Sequence, residues 1–200
     1  MILLNSNAQH IFWLGRYLTR TQYLCRQFPF QGHQDALEYA HAFCLPAFDA
    51  DSLNALLLDV EQPASFSQQF QYAQDNIQNL RGVFSAQAYA ELCQLIKNAN
   101  QNAADICDVT AQCDEVIEAE SEDVFLFFSL GQNIEQLDRQ IRLKQDRAVT
   151  LQNIDKIVAL LSQMGWCGLD KVWQQLQLHP DGMNFYHFSD HIQNLFEVGV

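Results

Sequence analysis

The chain has 200 residues, 48% of them hydrophobic, which is enough for one sizeable core or two small packed lobes. Its 24 acidic and 11 basic residues give a formal net charge of −13, which argues against binding to nucleic acid or to an anionic membrane. No apolar run approaches the ~20 residues of a membrane span, and residues 1–4 lack the features of a signal peptide. We therefore expect an acidic, cytoplasmic protein of bacterial type.

Hydrophobic spacing predicts helices along nearly the whole chain and no strand. The first helix is expected to start with Asn5 or Ser6 as its cap and to stop before Pro29. The other helices are expected over residues 35–43, 52–59, 63–81, 85–119, 121–146, 150–165, 169–178 and 184–198. For the segment 85–119, a kink or loop in its Asn- and Gln-rich middle, residues 98–102, is the alternative. The prediction is an all-α fold, a compact multi-helix bundle of about eight helices forming a single domain over residues 1–200.

Residues 11–20, IFWLGRYLTR, return in weaker form at residues 127–136, FFSLGQNIEQ. With Gly15 placed on Gly131, the inward positions are apolar in both copies except at Thr21. A glycine inside a helix costs about 1 kcal/mol relative to alanine, so two at matching sites predict a close approach of helices. We expect two weakly repeated halves, around residues 5–28 and 121–146, with chance likeness of amphipathic helices as the alternative.

The six cysteines are scattered, with no C-x-x-C pair. Several occupy apolar helical positions, and a chain this long and rich in core residues rarely depends on disulfides. We therefore expect reduced thiols that fill the core, Cys25 among them. Cys107 and Cys113 lie in an acidic stretch, which raises a thiol pKa and disfavours reactivity.

Three segments, in this order, resemble the motifs of the alpha-E domain family. Residues 13–22, WLGRYLTRTQ, resemble its first motif, W-L/M-G-R-Y-L-E-R-A-E. Residues 59–65, DVEQPAS, and 73–81, AQDNIQNLR, resemble its D-x-x-N-P-S-S and A-R-E-N-A-R stretches. Residues 130–138, LGQNIEQLD, resemble its second L-G-R-x-L-E-R-A-D. The resemblance covers roughly residues 1–165, and the C-terminal part is expected to be shortened relative to the family.

This sequence departs from the family's recurring Glu-Arg pair in both copies. The first copy keeps Arg20 but has Thr19 in place of the glutamate, whereas the second keeps Glu135 but has Gln136 in place of the arginine. If the two helices face each other, one Glu-Arg pair survives between Arg20 and Glu135. The local alternative is pairing within the second helix at i, i+4 spacing, from Glu135 to Arg139 and from Asp138 to Arg142.

The arginines of the first helix precede every acidic residue of the chain, the first of which is Asp35. Their counter-charges must therefore come from later segments or from water. We predict a polar network between the two halves. Its candidate residues are Arg16, Tyr17, Arg20, Asp75, Arg81, Glu135 and Asp138.

The resemblance implies an accessory role, because relatives tend to be encoded beside ATP-grasp peptide-ligase-like and transglutaminase-like proteins. The first hypothesis is therefore a non-catalytic binding or scaffold protein whose partner is one of these, with no cofactor. The second is an enzyme or ligand-binding protein whose arginines bind a carboxylate- or phosphate-bearing substrate while an acid serves as base. The enzyme hypothesis requires arginine donors that line an open pocket, and the scaffold hypothesis requires donors that are already satisfied.

Metal binding is not expected. Glu38 and His41 have the i, i+3 spacing of di-iron bundle ligands, but such sites need two of these motifs and two further glutamates. His187 and His191 lie four residues apart without the H-E-x-x-H pattern of a zinc protease.

The acidic residues between positions 105 and 123 predict a solvated face, with docking of a basic partner as the alternative.

Overall fold

A computed structural model describes residues 3–99 and 102–197, and in these ranges all regular structure is α-helical. The ten helices are α1 (Asn5–Gln27), α2 (His33–Ala42), α3 (Ala50–Leu58), α4 (Phe66–Asn79), α5 (Ala86–Asn98), α6 (Ala103–Glu118), α7 (Glu122–Arg142), α8 (Ala148–Gln163), α9 (Asp170–Leu178) and α10 (Gly182–Glu197). The all-α prediction is confirmed, and the expected count of about eight rises to ten within these ranges. No helix of the described chain is both long and apolar enough to span a bilayer.

The helix count is higher than expected mainly because the segment 85–119, predicted as one helix, forms the two helices α5 and α6. Ser85 caps α5 as expected, because its hydroxyl accepts a hydrogen bond from the Ala88 backbone N–H at 3.2 Å. Asn102 caps α6 in the same way, with its Oδ1 accepting from the Asp105 backbone N–H at 3.0 Å. A second cap inside the Asn- and Gln-rich stretch therefore starts a new helix.

Two other predicted starts differ in detail. The helix expected from Pro63 begins at Phe66, because Ser65 provides the cap by accepting from the Gln68 backbone N–H at 3.2 Å. Ser121 occupies the position before α7 as predicted, but its side chain makes no capping hydrogen bond.

The chain divides into two compact units. Unit 1 contains the residues up to Arg16 and those from Ser121, and unit 2 is Tyr17–Glu120. Helix α1 therefore contributes its first part to unit 1 and its last part to unit 2. The single domain over residues 1–200 and the internal repeat stay predictions.

The core of unit 1 joins the first part of α1 to α7 and α10 through aromatic side chains. The Phe196 ring centroid lies 5.6 Å from that of Phe12 and 6.0 Å from that of Phe127. Phe12 and Phe127 are fully buried. Burial of such rings supplies most of the stabilisation available to a unit of this size.

The core of unit 2 is built around Tyr39, whose ring lies within 6 Å of three other aromatic rings. The centroid distances are 5.3 Å to Phe30, 4.6 Å to Phe43 and 5.9 Å to Tyr23. These contacts hold α2 against the end of α1 and the segment that follows it.

A disulfide in unit 2 corrects the expectation of reduced thiols throughout. Cys25 near the end of α1 is bonded to Cys107 in α6, with the two Cα atoms 5.5 Å apart. Cytosolic proteins rarely carry structural disulfides, so this bond counts against the predicted cytoplasmic location, which stays a prediction. Cys113 is a free, buried thiol whose pKa is raised to about 12, mainly because burial disfavours the thiolate.

Candidate functional site

The candidate site lies where α1 crosses α7 inside unit 1. A Cβ added to Gly15 would clash with the carbonyl oxygen of Phe128, and one added to Gly131 would clash with that of Phe12. The same Cβ on Gly131 would lie 3.2 Å from the backbone nitrogen of Arg16. The predicted close approach of helices at the two glycines is confirmed, and it presses Arg16 against α7.

Arg16 is buried, with 7% of its surface exposed, and it faces two buried carboxylates of α7. Its Nε donates to Oε2 of Glu135 at 2.9 Å, and its Nη2 lies 3.8 Å from Oδ2 of Asp138. The guanidinium carbon is 5.0 Å from the centroid of the Trp13 ring, which adds a cation–π contact. A buried arginine is tolerated only when its charge is met in this way.

The cluster extends from Asp138 towards solvent. Oδ1 of Asp138 accepts from Nε of Arg142 at 2.7 Å, which confirms the predicted i, i+4 pair within α7. Nη2 of Arg142 donates to the hydroxyl of Tyr186 in α10 at 2.6 Å. Tyr186 is 52% exposed, so the chain of polar contacts runs from the buried Arg16 to the surface of unit 1.

Two predicted site residues lie in the part of α1 that belongs to unit 2. Nη1 of Arg20 donates to Oε1 of the buried Gln69 in α4 at 3.1 Å, and its guanidinium carbon lies 5.8 Å from the Tyr17 ring centroid. The Tyr17 ring in turn lies 5.1 Å from the Tyr72 ring. The predicted pair between Arg20 and Glu135 joins residues of different units and stays a prediction.

The remaining two predicted site residues are exposed positions of unit 2. Asp75 in α4 accepts a hydrogen bond from Nε2 of Gln71 at 2.9 Å, and Arg81 follows the end of the same helix. Exposed charges gain little from pairing, so neither position has the energetic character of the buried cluster.

The metal candidates occupy surface positions of their helices. At an exposed position of α2, Glu38 accepts a hydrogen bond from Nε2 of Gln34, and His41 of the same helix is also exposed. On α10, Nδ1 of His191 lies 3.1 Å from the backbone oxygen of His187. Across residues 3–99 and 102–197, no group of three or more His, Cys, Asp or Glu side chains is arranged to hold a metal ion.

The prediction missed Tyr186 at the site and Gln69 as the partner of Arg20 in unit 2. Arg142 was expected only as a local partner of Asp138. Tyr186 could not have been singled out from the sequence, because its neighbours are aromatic as well. Helical spacing does not tell which of these rings stays exposed. Gln69 could have been found, since a glutamine on the inward face of an amphipathic helix requires a polar partner.

The arrangement joins two helices of unit 1 through buried charges. Arg16 presents two of its nitrogens to carboxylates, and neither cavity described for the chain, in α4–α6 or in α8–α9, has an arginine in its lining. A guanidinium held between two acids gives direction and register to a helix crossing, as buried polar groups do elsewhere.

These features define an all-α protein whose two motif helices cross at glycines beside a buried arginine–carboxylate cluster. The chain belongs to the Alpha-E family, described as a predicted alpha-helical domain with a conserved ER motif, whose profile matches residues 3–169. No curated protein matches the chain, and no solved structure does. All of α9 and α10 follow the end of the family match, although α10 supplies Tyr186 and Phe196 to unit 1.

Proposed function

We propose that this chain is a non-catalytic binding or scaffold protein that serves a peptide-modifying system. Its partner is an ATP-grasp peptide-ligase-like or a transglutaminase-like protein, a partner class that rests on the family resemblance. The observation that carries the non-catalytic part is the burial of Arg16 against Glu135 and Asp138. A guanidinium that is 7% exposed and already faces two internal carboxylates is poorly placed to bind a substrate from solvent.

The proposal is tested by affinity capture of the tagged chain from its native host, combined with complementation of a deletion strain. We expect an ATP-grasp-like or transglutaminase-like protein to be captured in stoichiometric amount. A folded Glu135→Gln variant should complement the deletion as well as Glu91→Gln, the same change at an exposed position of α5. Circular dichroism of both purified variants establishes that they are folded.

A different pattern would contradict the proposal. If neither kind of protein is captured, the partner assignment is wrong. If Glu135→Gln is folded and abundant but fails to complement while Glu91→Gln succeeds, an ionisable carboxylate at position 135 is required and the non-catalytic assignment is wrong.

The second candidate function is an enzyme or ligand-binding protein for a carboxylate- or phosphate-bearing substrate. It is favoured by the outer end of the cluster, where the Arg142 side chain is 27% exposed and bonded to the half-exposed Tyr186. An anion reaching this position would meet a guanidinium and a phenol hydroxyl. Titration with acetate and with inorganic phosphate, followed by NMR, tests it: saturable shifts at Arg142 that Arg142→Met removes would support this second function.

A further inference from the structure

We propose that unit 2 carries a binding groove for a short peptide bearing a carboxylate, at a place separate from the arginine cluster. The groove has a volume of about 560 Å³ and lies among α4, the end of α5 and the start of α6. Volumes of roughly 300–1,000 Å³ are typical of small-ligand sites. The inference does not depend on the proposed function, because all of its residues lie in Tyr17–Glu120.

The floor of the groove is apolar. The accessible apolar surface comes from Ile96 and from Val60, which is 51% exposed, whereas Phe70, Ala99 and Ile106 lie beneath it almost fully buried. A side chain such as leucine would bury apolar surface here, at about 25 cal/mol per Å² removed from water.

One wall of the groove is a row of three glutamines on α4. Gln68, Gln71 and Gln74 are spaced three residues apart, so their side chains follow one side of the helix. Nε2 of Gln68 donates to the backbone oxygen of Val60 at 2.9 Å, and Nε2 of Gln71 donates to Asp75 at 2.9 Å. These bonds orient the two amides, and each keeps a carbonyl oxygen and a second N–H for a ligand.

The amide row matches the chemistry of a peptide main chain. Each peptide group offers one donor and one acceptor, and a carboxamide offers the complementary pair on one planar group. An ionised phosphate offers acceptors only, so it cannot use both the donor and the acceptor of a carboxamide. The row therefore favours an extended peptide segment over a phosphate-rich ligand.

Lys97 supplies the cationic side chain of the lining. It is exposed at the end of α5, and no described residue forms an ion pair with it. A single ammonium group balances one carboxylate, whereas a phosphate chain would require several cations. The formal net charge of −13 further disfavours a polyanionic ligand.

The test uses acetyl-Ala-Leu-Ala with a free carboxylate and the same peptide as a carboxamide, each titrated into the full-length protein and followed by ¹H–¹⁵N NMR. We expect shift changes at Ser67, at residues 68–74 and 96–99 and at Ile106. The acid should bind about two- to fivefold more tightly than the amide, as one exposed ion pair allows. Gln71→Trp, which places a large ring in the groove from an exposed position, should abolish binding of both peptides.

The charge requirement is tested with two matched variants. Lys97→Gln should reduce the affinity for the acid to that for the amide, whereas Lys156→Gln, the same change at an exposed position of α8, should leave the difference intact. The proposal is overturned if neither peptide binds saturably at millimolar concentration or if the shifts fall outside the groove. It is also overturned if the preference for the acid survives Lys97→Gln in a protein that circular dichroism shows to be folded.

Discussion

Arg16 and Glu135 form a buried ion pair over 2.9 Å although they are 119 positions apart in the chain. The pair lies directly beside the crossing of Gly15 and Gly131, where the backbones of α1 and α7 touch. The glycines therefore set the helix separation, and the ion pair has a fixed length to bridge. A close crossing and a buried ion pair are one structural feature, and substitutions at either should disturb both.

The effects of replacing the two members of this ion pair should not be additive. Arg16→Met removes the cation that faces two buried carboxylates, and Glu135→Leu removes the nearer of those carboxylates, so each should cost about 3–5 kcal/mol of unfolding free energy. The double variant should lose at least about 1 kcal/mol less than the sum of the two single variants. Urea unfolding followed by circular dichroism measures this, with Arg81→Met as an exposed control. Strictly additive losses would show that the two side chains are not coupled.

Alanine at either crossing glycine should destabilise unit 1, although alanine normally favours a helix by about 1 kcal/mol over glycine. The added methyl group of Gly15→Ala or Gly131→Ala meets a backbone carbonyl oxygen of the opposing helix, which cannot move aside. We expect a loss of about 1–3 kcal/mol, as for overpacked cores. Gly82→Ala is the control, because nothing lies within 4 Å of its added Cβ, and it should be neutral or slightly stabilising. Equal thermal midpoints for all three variants would contradict the crossing.

Loss of the disulfide should lower the stability of unit 2. The bond between Cys25 and Cys107 closes a sequence separation of 82 residues, which corresponds to about 4–5 kcal/mol in the chain-entropy description. Cys25→Ser with Cys107→Ser, or reduction of the wild-type chain, should therefore lower the thermal midpoint. Cys44→Ser, at an exposed free thiol, is the control. Peptide mapping under non-reducing conditions must recover the 25–107 linkage, and its absence from oxidised protein would refute the bond.

Cys113 should make stability fall at alkaline pH. Burial raises its folded pKa to about 12 from an ordinary value of 9.0, so the unfolded chain loses this proton first. The stabilisation is complete below about pH 9 and is lost as the pH rises towards 12, with a slope of at most about 1.4 kcal/mol per pH unit. Unfolding free energies measured between pH 8 and pH 11 should show this slope in the wild type.

The Cys113→Ala variant is the control for that pH dependence, since it removes the only group to which the slope is assigned. A slope that persists in this variant would assign the alkaline effect elsewhere. Cys113 should also resist alkylation by iodoacetamide at pH 8 under conditions that modify the exposed Cys44 and Cys167, because the thiolate is the reactive form.

Local chemistry made much of the fold predictable. Apolar spacing identified the helical segments, and Ser85 is a cap that acts as its residue type predicts. Pro63 was misleading because proline suits a turn as well as a first helical position, and Ser65 two residues later has the better capping geometry. The break before α6 was visible only as an amide-rich stretch, in which Asn102 is one of several residues able to cap.

The site was less predictable because helical periodicity does not distinguish residues one turn apart. Arg16 and Arg20 share a face of α1, so spacing alone could not decide that Arg16 meets Glu135 within unit 1. The disulfide was missed because pairing depends on the distance between two Cα atoms, which no sequence separation reveals. Gly15 and Gly131 were the informative signal, because a glycine in a helix interior costs stability relative to alanine and here the opposing backbone occupies the space of a Cβ.

The division of α1 between the two units has a consequence for biosynthesis. Unit 1 draws on both ends of the chain, so its opening helix leaves the ribosome long before α7 has been translated. At roughly 5–20 residues per second, the intervening Tyr17–Glu120 imposes a wait on the order of ten seconds. Throughout that wait Ile11, Phe12 and Leu14, which end fully buried, have no partner to cover them. The nascent polypeptide is therefore expected to be a chaperone client until α7 has been translated.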